Sequence, residues 1–317
     1  MILIQNKDIR ELNISPAECV EWVRFSFLHK PECQLPHKIS LHPQATDFIN
    51  TMPCILPPSI GRYCVKIVSR IEGRIPSLSS DCFLYDSRTG EFLAVINSDW
   101  ITTMRTGAVA ALAVDTFKKS NAEIISFIGL GNTARSTMLC LTAVLCPKVQ
   151  YKIRLLKYKD QAEKFAEQFS YVKNVTFEIV KSVEDLFEDS DVIVSCVTEA
   201  KELFYEDTRI YKPGVLIVPV HTKGFQNCDI VFDKVYCDDY AHVSGFKYYD
   251  QFKWKAEIGE VLRGEKTGRK DDNERILDYN IGLGIHDAFY CSKIYDMLDK
   301  NKCVQINIDH SQNKFII

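Results

Sequence analysis

Short apolar runs alternate with longer segments of helical periodicity through the middle of the chain. The first run covers 124–130 and is followed by a mostly apolar helical pattern over 133–146. Continuous apolar strands separated by helices are typical of a parallel sheet that is covered on both faces. The pattern therefore predicts a second helix at 160–169 and further strands at 152–156, 176–180, 191–197, 215–220 and 234–238.

The residues before this region mix predicted strands with one early helix. We expect the helix at 17–28 and the strands at 63–68, 83–85 and 92–96. Asp86-Ser87-Arg88-Thr89-Gly90 between two of these strands is a turn sequence and predicts a hairpin. After the parallel sheet, we predict a C-terminal helix over 276–298 and a strand or arm in the tail, 303–317.

A glycine-rich loop follows the first strand of the parallel sheet and opens the first helix. Gly129, Gly131 and Ala134 form a G-x-G-x-x-A version of the dinucleotide fingerprint. A plain tight turn is the alternative, but the strand, the helix and the second strand all stand where the fingerprint requires them. We expect the cofactor to contact Gly129, Gly131, Asn132, Thr133, Ala134 and Val197.

These patterns together predict an α/β protein of two domains. A Rossmann-type parallel-sheet dinucleotide domain covers 117–282. It is inserted in a smaller α/β domain formed by 1–116, to which 283–317 return.

The end of the second strand bears on the choice between NAD and NADP. NAD-preferring sites place a carboxylate there for the ribose hydroxyls. This chain has Lys157 and Lys159 instead, which would attract the 2'-phosphate of NADP. Two solvated surface lysines are the alternative, so the sequence favours NADP and keeps NAD as the second choice.

Composition and charge exclude several classes of partner. The formal net charge of −3, without a long block of one sign, argues against a nucleic-acid partner. No apolar stretch approaches the roughly 20 residues that a membrane-spanning helix needs. The N-terminus reaches charged residues too early for a signal peptide, so we expect a cytosolic protein.

The chain contains 12 cysteines, and none of them forms a C-x-x-C pair. Their spacing supports neither a disulfide scaffold nor a metal site. Several lie in apolar runs, as Cys196 does. We expect buried, reduced thiols that act as small hydrophobic side chains.

A basic and polar segment precedes the glycine loop. Arg105 and Thr106 stand before a small-residue helix predicted at 109–116. Arg105 at a helix entry can hold a carboxylate through two parallel hydrogen bonds. Thr106 and the N–H groups that follow can cap this helix or contact a phosphate. An ordinary surface arginine is the alternative.

The chain resembles the ornithine cyclodeaminase / mu-crystallin family, which includes archaeal-type alanine dehydrogenases and ketimine reductases. The resemblance spans nearly the whole chain. It is carried by 52–53, 65–68, 86–90, the segment Thr102-Thr103-Met104-Arg105-Thr106-Gly107-Ala108, the glycine loop, 264–269 and Asn280-Ile281-Gly282-Leu283-Gly284-Ile285-His286-Asp287.

The resemblance implies roles for individual residues. Arg105 corresponds to the arginine that binds the substrate carboxylate, and Lys66 to the lysine near the reacting carbon. A surface strand lysine is the alternative for Lys66. Lys38 stands where the family usually has a second carboxylate-binding arginine, a change that leaves only a point charge. The resemblance also implies that the smaller domain binds substrate and forms a homodimer.

The position of the catalytic acid departs from the family. Ornithine cyclodeaminases carry an aspartate shortly after the fifth Rossmann strand. Counting forward from Pro213-Gly214 places Lys223 there, whereas counting back from Asp229 places His221 there. His221 suits general acid–base chemistry near neutral pH, and an ordinary loop histidine is the alternative.

These residues predict an NAD(P)-dependent oxidoreductase that acts on the C–N bond of an amino or imino acid. Two alternatives remain: a cyclodeaminase-type lyase that uses NAD without net turnover, and a non-catalytic ligand-binding protein of mu-crystallin type. We expect His286 and Asp287 to serve helix packing and capping. Tyr240 and His242 are expected to border the nicotinamide site.

Overall fold

The computed structural model describes residues 1–198 and 200–308. The strands are β1 (Ile2–Ile4), β2 (Ile39–Leu41), β3 (Phe48–Ile55), β4 (Arg62–Arg70), β5 (Leu78–Asp86), β6 (Phe92–Asn97), β7 (Ile124–Ile128), β8 (Tyr151–Leu156), β9 (Val175–Val180), β10 (Val192–Ser195), β11 (Leu216–Pro219), β12 (Lys234–Cys237), β13 (Lys255–Glu257), β14 (Ile276–Tyr279) and β15 (Val304–Gln305). The α-helices are α1 (Asn6–Glu11), α2 (Pro16–Leu28), α3 (Asp99–Phe117), α4 (Asn132–Val144), α5 (Gln161–Gln168), α6 (Val183–Phe187), α7 (Tyr240–Val243), α8 (Ile258–Leu262) and α9 (Gly284–Met297).

The first of two compact units is built on a seven-stranded sheet. It comprises Met1–Ile14, Glu32–Thr102 and the described residues from Asp287 onward. The strand order is β15-β1-β6-β5-β4-β3-β2, antiparallel except where β1 pairs with β6. Because side chains alternate along a strand, one face of this sheet is buried and the other faces outward. On β4, the buried face carries Cys64, Lys66 and Val68.

The second unit comprises Ser15–Pro31 and Thr103–His286 and is built on an eight-stranded parallel sheet. The order is β13-β12-β14-β11-β10-β7-β8-β9. Every residue of β10, β11, β12 and β14 is buried, which explains their continuous apolar sequences. The chain runs outward from β7 to β9 on one side and to β10 on the other. Ligands of doubly wound sheets bind at such a reversal, beside the carboxyl ends of the strands.

The predicted fold class is confirmed, and the strands predicted between 124 and 238 correspond to β7–β12. The predicted hairpin joins β5 to β6, where the Gly90 N–H donates to the Asp86 carbonyl over 2.9 Å. The tail forms β15, which pairs with β1, and 309–317 lie outside the described residues. No helix in the described part of the chain is long and apolar enough to cross a membrane.

Two predicted helices were wrong in extent. The segment predicted as one helix over 276–298 is the strand β14, a glycine-containing loop and then α9. An unbroken apolar segment fits a buried strand as well as a helix, so periodicity alone did not separate the two. The helix predicted at 109–116 begins ten residues earlier, at Asp99.

The division into units also differs from the predicted boundaries. The segments 15–31 and 103–116 cluster with the Rossmann sheet, whereas the prediction assigned them to the smaller domain. The physical reason is packing, because α2 lies against α4 and α8. The chain passes from the first unit to the second within α3, after Thr102, and returns to the first unit within α9, after His286.

Candidate functional site

The glycine loop connects β7 to α4 at the reversal of the parallel sheet. Gly129 has a φ of +81°, a conformation that side chains rarely adopt. A Cβ atom at Gly129 would lie 2.6 Å from the backbone nitrogen of Val197, which follows the neighbouring strand β10. Both the backbone angle and this close approach therefore require glycine at position 129. The structure brings Gly129 and Val197 together, as the cofactor-binding prediction needs.

Gly131 is the N-cap of α4 and has different surroundings. Its φ is −78°, and an added Cβ atom would have open space around it. The N–H groups at the start of a helix have no carbonyl acceptor within the helix. In α4 these groups belong to Asn132, Thr133 and Ala134. The loop therefore offers unobstructed backbone and a positive helix end, the arrangement that binds a pyrophosphate.

Arg105 and Thr106 lie inside α3, so the predicted helix entry at this point was wrong. The backbone N–H of Thr106 belongs to the interior of a helix, and only its hydroxyl group can contact a ligand. The next residue, Gly107, packs against the backbone of Ser136 in α4 so closely that a Cβ atom would collide with it. This contact fixes α3 against the helix that begins at the glycine loop.

The guanidinium group of Arg105 lies against a second glycine. Arg105 is 8% exposed, and a Cβ atom on Gly282 would lie 2.8 Å from its Nη1. Gly282 has a φ of +99°. Asp238 fixes this loop, since its carboxylate accepts the N–H groups of Ile281 over 2.8 Å and of Gly282 over 2.5 Å. The loop that contains Gly282 therefore lies beside the guanidinium group of Arg105, and this contact could not be predicted from the sequence.

His221 follows β11 and pairs with a serine at the end of β10. Its Nε2 lies 2.6 Å from the hydroxyl of Ser195. Burial lowers the pKa of His221 to about 4, while a hydrogen bond to the backbone of Lys223 acts in the opposite direction. The imidazole is therefore neutral at neutral pH and can relay a proton without storing one. Lys223 is exposed, and Ser195 was missed because a lone serine in an apolar strand carries no motif.

Lys66 belongs to the first unit and is fully buried on β4, which contradicts the alternative of a surface lysine. Its Nζ donates to the Oδ1 of Asp287 over 2.7 Å, and Asp287 is also fully buried. A buried charge needs a partner, so the two residues stabilise each other. Asp287 lies in the first turn of α9. The signal that could have identified it is a carboxylate directly before the apolar run 288–291.

The remaining predicted residues have diverse surroundings. Lys38 is half-buried just before β2. Lys157 is exposed after β8 and forms an ion pair with Glu163, and Lys159 is exposed. The hydroxyl of Tyr240 donates to Glu260 over 2.5 Å.

Two histidines named from the sequence also have buried partners. The Nδ1 of His242 lies 2.9 Å from the carboxylate of Asp238. The Nδ1 of His286 lies 2.6 Å from the hydroxyl of Ser26, and its ring packs edge-on against Phe27. These contacts are consistent with helix packing for His286.

Comparisons with known proteins agree with the motifs. The sequence model of the ornithine cyclodeaminase/mu-crystallin family matches residues 1–302, which confirms the resemblance. The nodulation efficiency protein of Rhizobium meliloti is 26% identical over 275 residues, 84% of each chain. Two solved structures share the fold. The Δ1-pyrroline-2-carboxylate reductase of Thermococcus litoralis, in complex with NADH and L-proline, is 24% identical, with a TM-score of 0.84 over 97% of this chain and 100% of that one. An archaeal alanine dehydrogenase dimer with bound NAD is 22% identical, with a TM-score of 0.83 over 98% and 99% of the two chains.

Proposed function

The chain belongs to the ornithine cyclodeaminase/mu-crystallin family, and we propose that it is an NAD(P)-dependent oxidoreductase. It interconverts an amino acid, or an N-substituted amino acid, with its imine or keto form. The observation that carries this proposal is the glycine loop, where Gly129 has a positive φ and a close approach to Val197, and Gly131 is open at the start of α4. The names of the two solved relatives, a reductase and a dehydrogenase, support the same class of reaction.

The residues of the loop fit a dinucleotide. The N–H groups of Asn132, Thr133 and Ala134 would hold the pyrophosphate, with Val197 beside the loop. When bound, the nicotinamide supplies or accepts a hydride at the substrate carbon. Reduction of a C=N bond also adds one proton to the nitrogen, and we propose that a side chain of this protein donates it.

Arg105 is the residue that we propose binds the substrate carboxylate. Its guanidinium is held against Gly282, in a loop that Asp238 fixes through two backbone hydrogen bonds. A planar guanidinium held in one orientation can donate two parallel hydrogen bonds to a carboxylate. Orientation of the substrate in this way is a large part of catalysis in two-substrate reactions.

Lys66 is our choice for the proton source. Its Nζ donates to Asp287, so it carries the proton as an ammonium group that a carboxylate orients. His221 is neutral and paired with Ser195, so it suits a relay. The roles of Lys38 and Lys223 stay predictions that rest on the resemblance alone. The absence of an aspartate from 220–223 argues against ornithine cyclisation.

The cofactor that we propose is NADP, with NAD as the alternative. The end of β8 offers no carboxylate for the ribose hydroxyls, and Lys157 is exposed there. The ion pair with Glu163 offsets part of the charge of Lys157. The preference for NADP over NAD should therefore be modest.

We also propose a homodimer, as in the archaeal relative. Support comes from the outward face of the first sheet. Ile39 and Leu41 on the edge strand β2 are 60% and 62% exposed, and Ile67 on β4 is 38% exposed. Exposed apolar side chains that adjoin on one sheet face are typical of an association surface.

The test is a screen for net change in NAD(P)H absorbance with amino acids, imines and keto acids. Arg105→Ala should lower kcat/KM about 10- to 150-fold, because a charged hydrogen bond contributes about 1.5–3 kcal/mol. Arg209→Ala removes an arginine that is 91% exposed and should leave kcat/KM unchanged. Ammonia release without net cofactor turnover would instead indicate a lyase. Full activity of Arg105→Ala would contradict the assignment of the carboxylate-binding residue.

A further inference from the structure

Three cysteines from three different elements meet in the core of the first unit. They are Cys64 on β4, Cys82 on β5 and Cys291 on α9, and we call them the thiol cluster. Their sulfur atoms all lie within 4.8 Å of one another. None of the three residues is more than 1% exposed, and all three are free thiols.

The register of the sheet explains the convergence. Cys64 pairs with Leu84, and Lys66 pairs with Cys82, so Cys64, Lys66 and Cys82 share the buried face of the sheet. On α9, Asp287 and Cys291 are four residues apart and therefore lie on one side of the helix. The thiol cluster and the Lys66–Asp287 ion pair are thus neighbours, each formed by β4 and α9.

The separation of the sulfur atoms is close to what a single ion requires. A metal–sulfur bond of about 2.3 Å places two sulfur atoms on one ion at about 4 Å from each other. A contraction of under about 1 Å would bring the thiol cluster to that geometry. Buried cysteines often act as small hydrophobic side chains, but that role does not require three sulfur atoms from three elements to converge.

We propose that the thiol cluster binds one Cu⁺ ion. Within the described residues, the group contains three sulfur donors and no imidazole or carboxylate. Structural zinc sites are almost always four-coordinate, and iron–sulfur clusters are usually held by four cysteines. Soft thiolate ligands select Cu⁺. Three sulfur donors can complete the coordination of Cu⁺ in a buried site without a water ligand.

Binding exchanges protons for the metal ion and transfers no electrons. Each thiol that binds as a thiolate releases one proton, so up to three protons leave as one Cu⁺ ion enters. Because Lys66 is already paired with Asp287, the Cu⁺ ion itself is the positive charge that offsets the bound thiolates.

The experiment uses the reduced full-length chain under anaerobic conditions, without a dinucleotide. Cu⁺ is supplied as a complex with a chromophoric chelator, and its transfer to the protein is followed by absorbance. We expect one Cu⁺ ion per chain. Cys82→Ala and Cys291→Ala should each lower the affinity at least about 100-fold, the upper end of what loss of an outer ligand partner costs. Bound Cu⁺ should also raise the Tm of the unsubstituted protein.

Two control variants separate loss of a ligand from other effects. Leu84→Val disturbs the same buried sheet face without removing a sulfur atom, and Cys146→Ser removes an exposed thiol. Both should bind Cu⁺ as the unsubstituted chain does. The proposal is wrong if the folded chain leaves all Cu⁺ with the chelator, or if Cys82→Ala binds it equally well. Tighter binding of Zn²⁺ than of Cu⁺ would overturn the choice of metal. Because no dinucleotide or substrate is present, these outcomes do not depend on the proposed oxidoreductase activity.

Discussion

The two glycines of the loop between β7 and α4 are two residues apart in the sequence but have different physical roles. Gly129 needs its positive φ and its close approach to Val197, whereas Gly131 has neither constraint. The fingerprint treats both positions alike, since it records only the residue type. Their separate roles become visible only in the backbone angles and distances.

Gly129→Ala should destabilise the protein even without a cofactor. The left-handed backbone and the 2.6 Å approach to the Val197 nitrogen should together cost about 1–3 kcal/mol or more. Gly131→Ala, in open space with an ordinary φ, should change the free energy of unfolding by under about 0.5 kcal/mol. Urea unfolding of the cofactor-free variants measures both. Equal destabilisation by the two substitutions would contradict this account.

His221 should make the stability depend on pH in acid. Its pKa is about 4 in the folded chain and 6.5 when unperturbed, so the unfolded state binds more protons between these values. The contribution of neutral His221 is complete above pH 6.5 and is lost as the pH falls through 4. By linkage, the loss is at most about 3 kcal/mol, and less where water screens the half-buried ring.

The comparison with His221→Gln isolates this effect, because other titrating groups are common to both proteins. Unfolding free energies should be measured by urea denaturation between pH 4 and 7.5. The unsubstituted chain should lose more stability than His221→Gln as the pH falls. Parallel curves for the two proteins would show that His221 titrates at its ordinary pKa.

At the scale of elements, the buried ion pair connects β4 to α9 within the first unit. Removal of one member leaves an uncompensated buried charge, so Lys66→Met or Asp287→Leu should each cost about 3–5 kcal/mol. The double variant replaces both charges with apolar groups and should be less destabilised than either single variant. A double-mutant cycle from chemical unfolding tests this. Additive losses would show that the two charges do not interact.

Elements with continuous apolar sequence could be predicted, and those defined by distant contacts could not. The strands β10 to β12 could be predicted because every residue in them is buried, whereas β8 and β9 are only partly buried and were predicted from their place in the alternation of strands and helices. The long helix over 276–298 was wrong because β14 and α9 are both apolar and only the glycines at 282 and 284 separate them.

Contacts between residues that are far apart in the sequence could not be predicted from local patterns. The thiol cluster joins positions 64, 82 and 291, and the partner of Lys66 is 221 residues away. Motifs of local spacing, such as a C-x-x-C pair, cannot indicate contacts between such distant residues. Arg105 could be named from the family motif, but its support by Gly282 required the structure.

At the scale of the whole molecule, the proposed homodimer rests on the outward face of the first sheet. Ile39 and Leu41 lie on the edge strand β2, and Ile39 pairs with Thr51, which pairs with Ile67. Ile39 and Ile67 therefore lie in one row across the sheet, with Thr51 between them. An edge strand of this kind is a template for association unless charge or proline blocks it.

The double variant Ile39→Lys/Leu41→Lys should dissociate the proposed dimer, because it places two ammonium groups in an apolar contact. Light scattering after gel filtration should give twice 36.3 kDa for the unsubstituted chain and 36.3 kDa for the variant. Ile179→Lys introduces a charge on a similarly apolar residue of β9 in the other unit and should remain dimeric. A mass of 36.3 kDa for the unsubstituted chain would rule out the dimer, and a dimeric double variant would place the interface elsewhere.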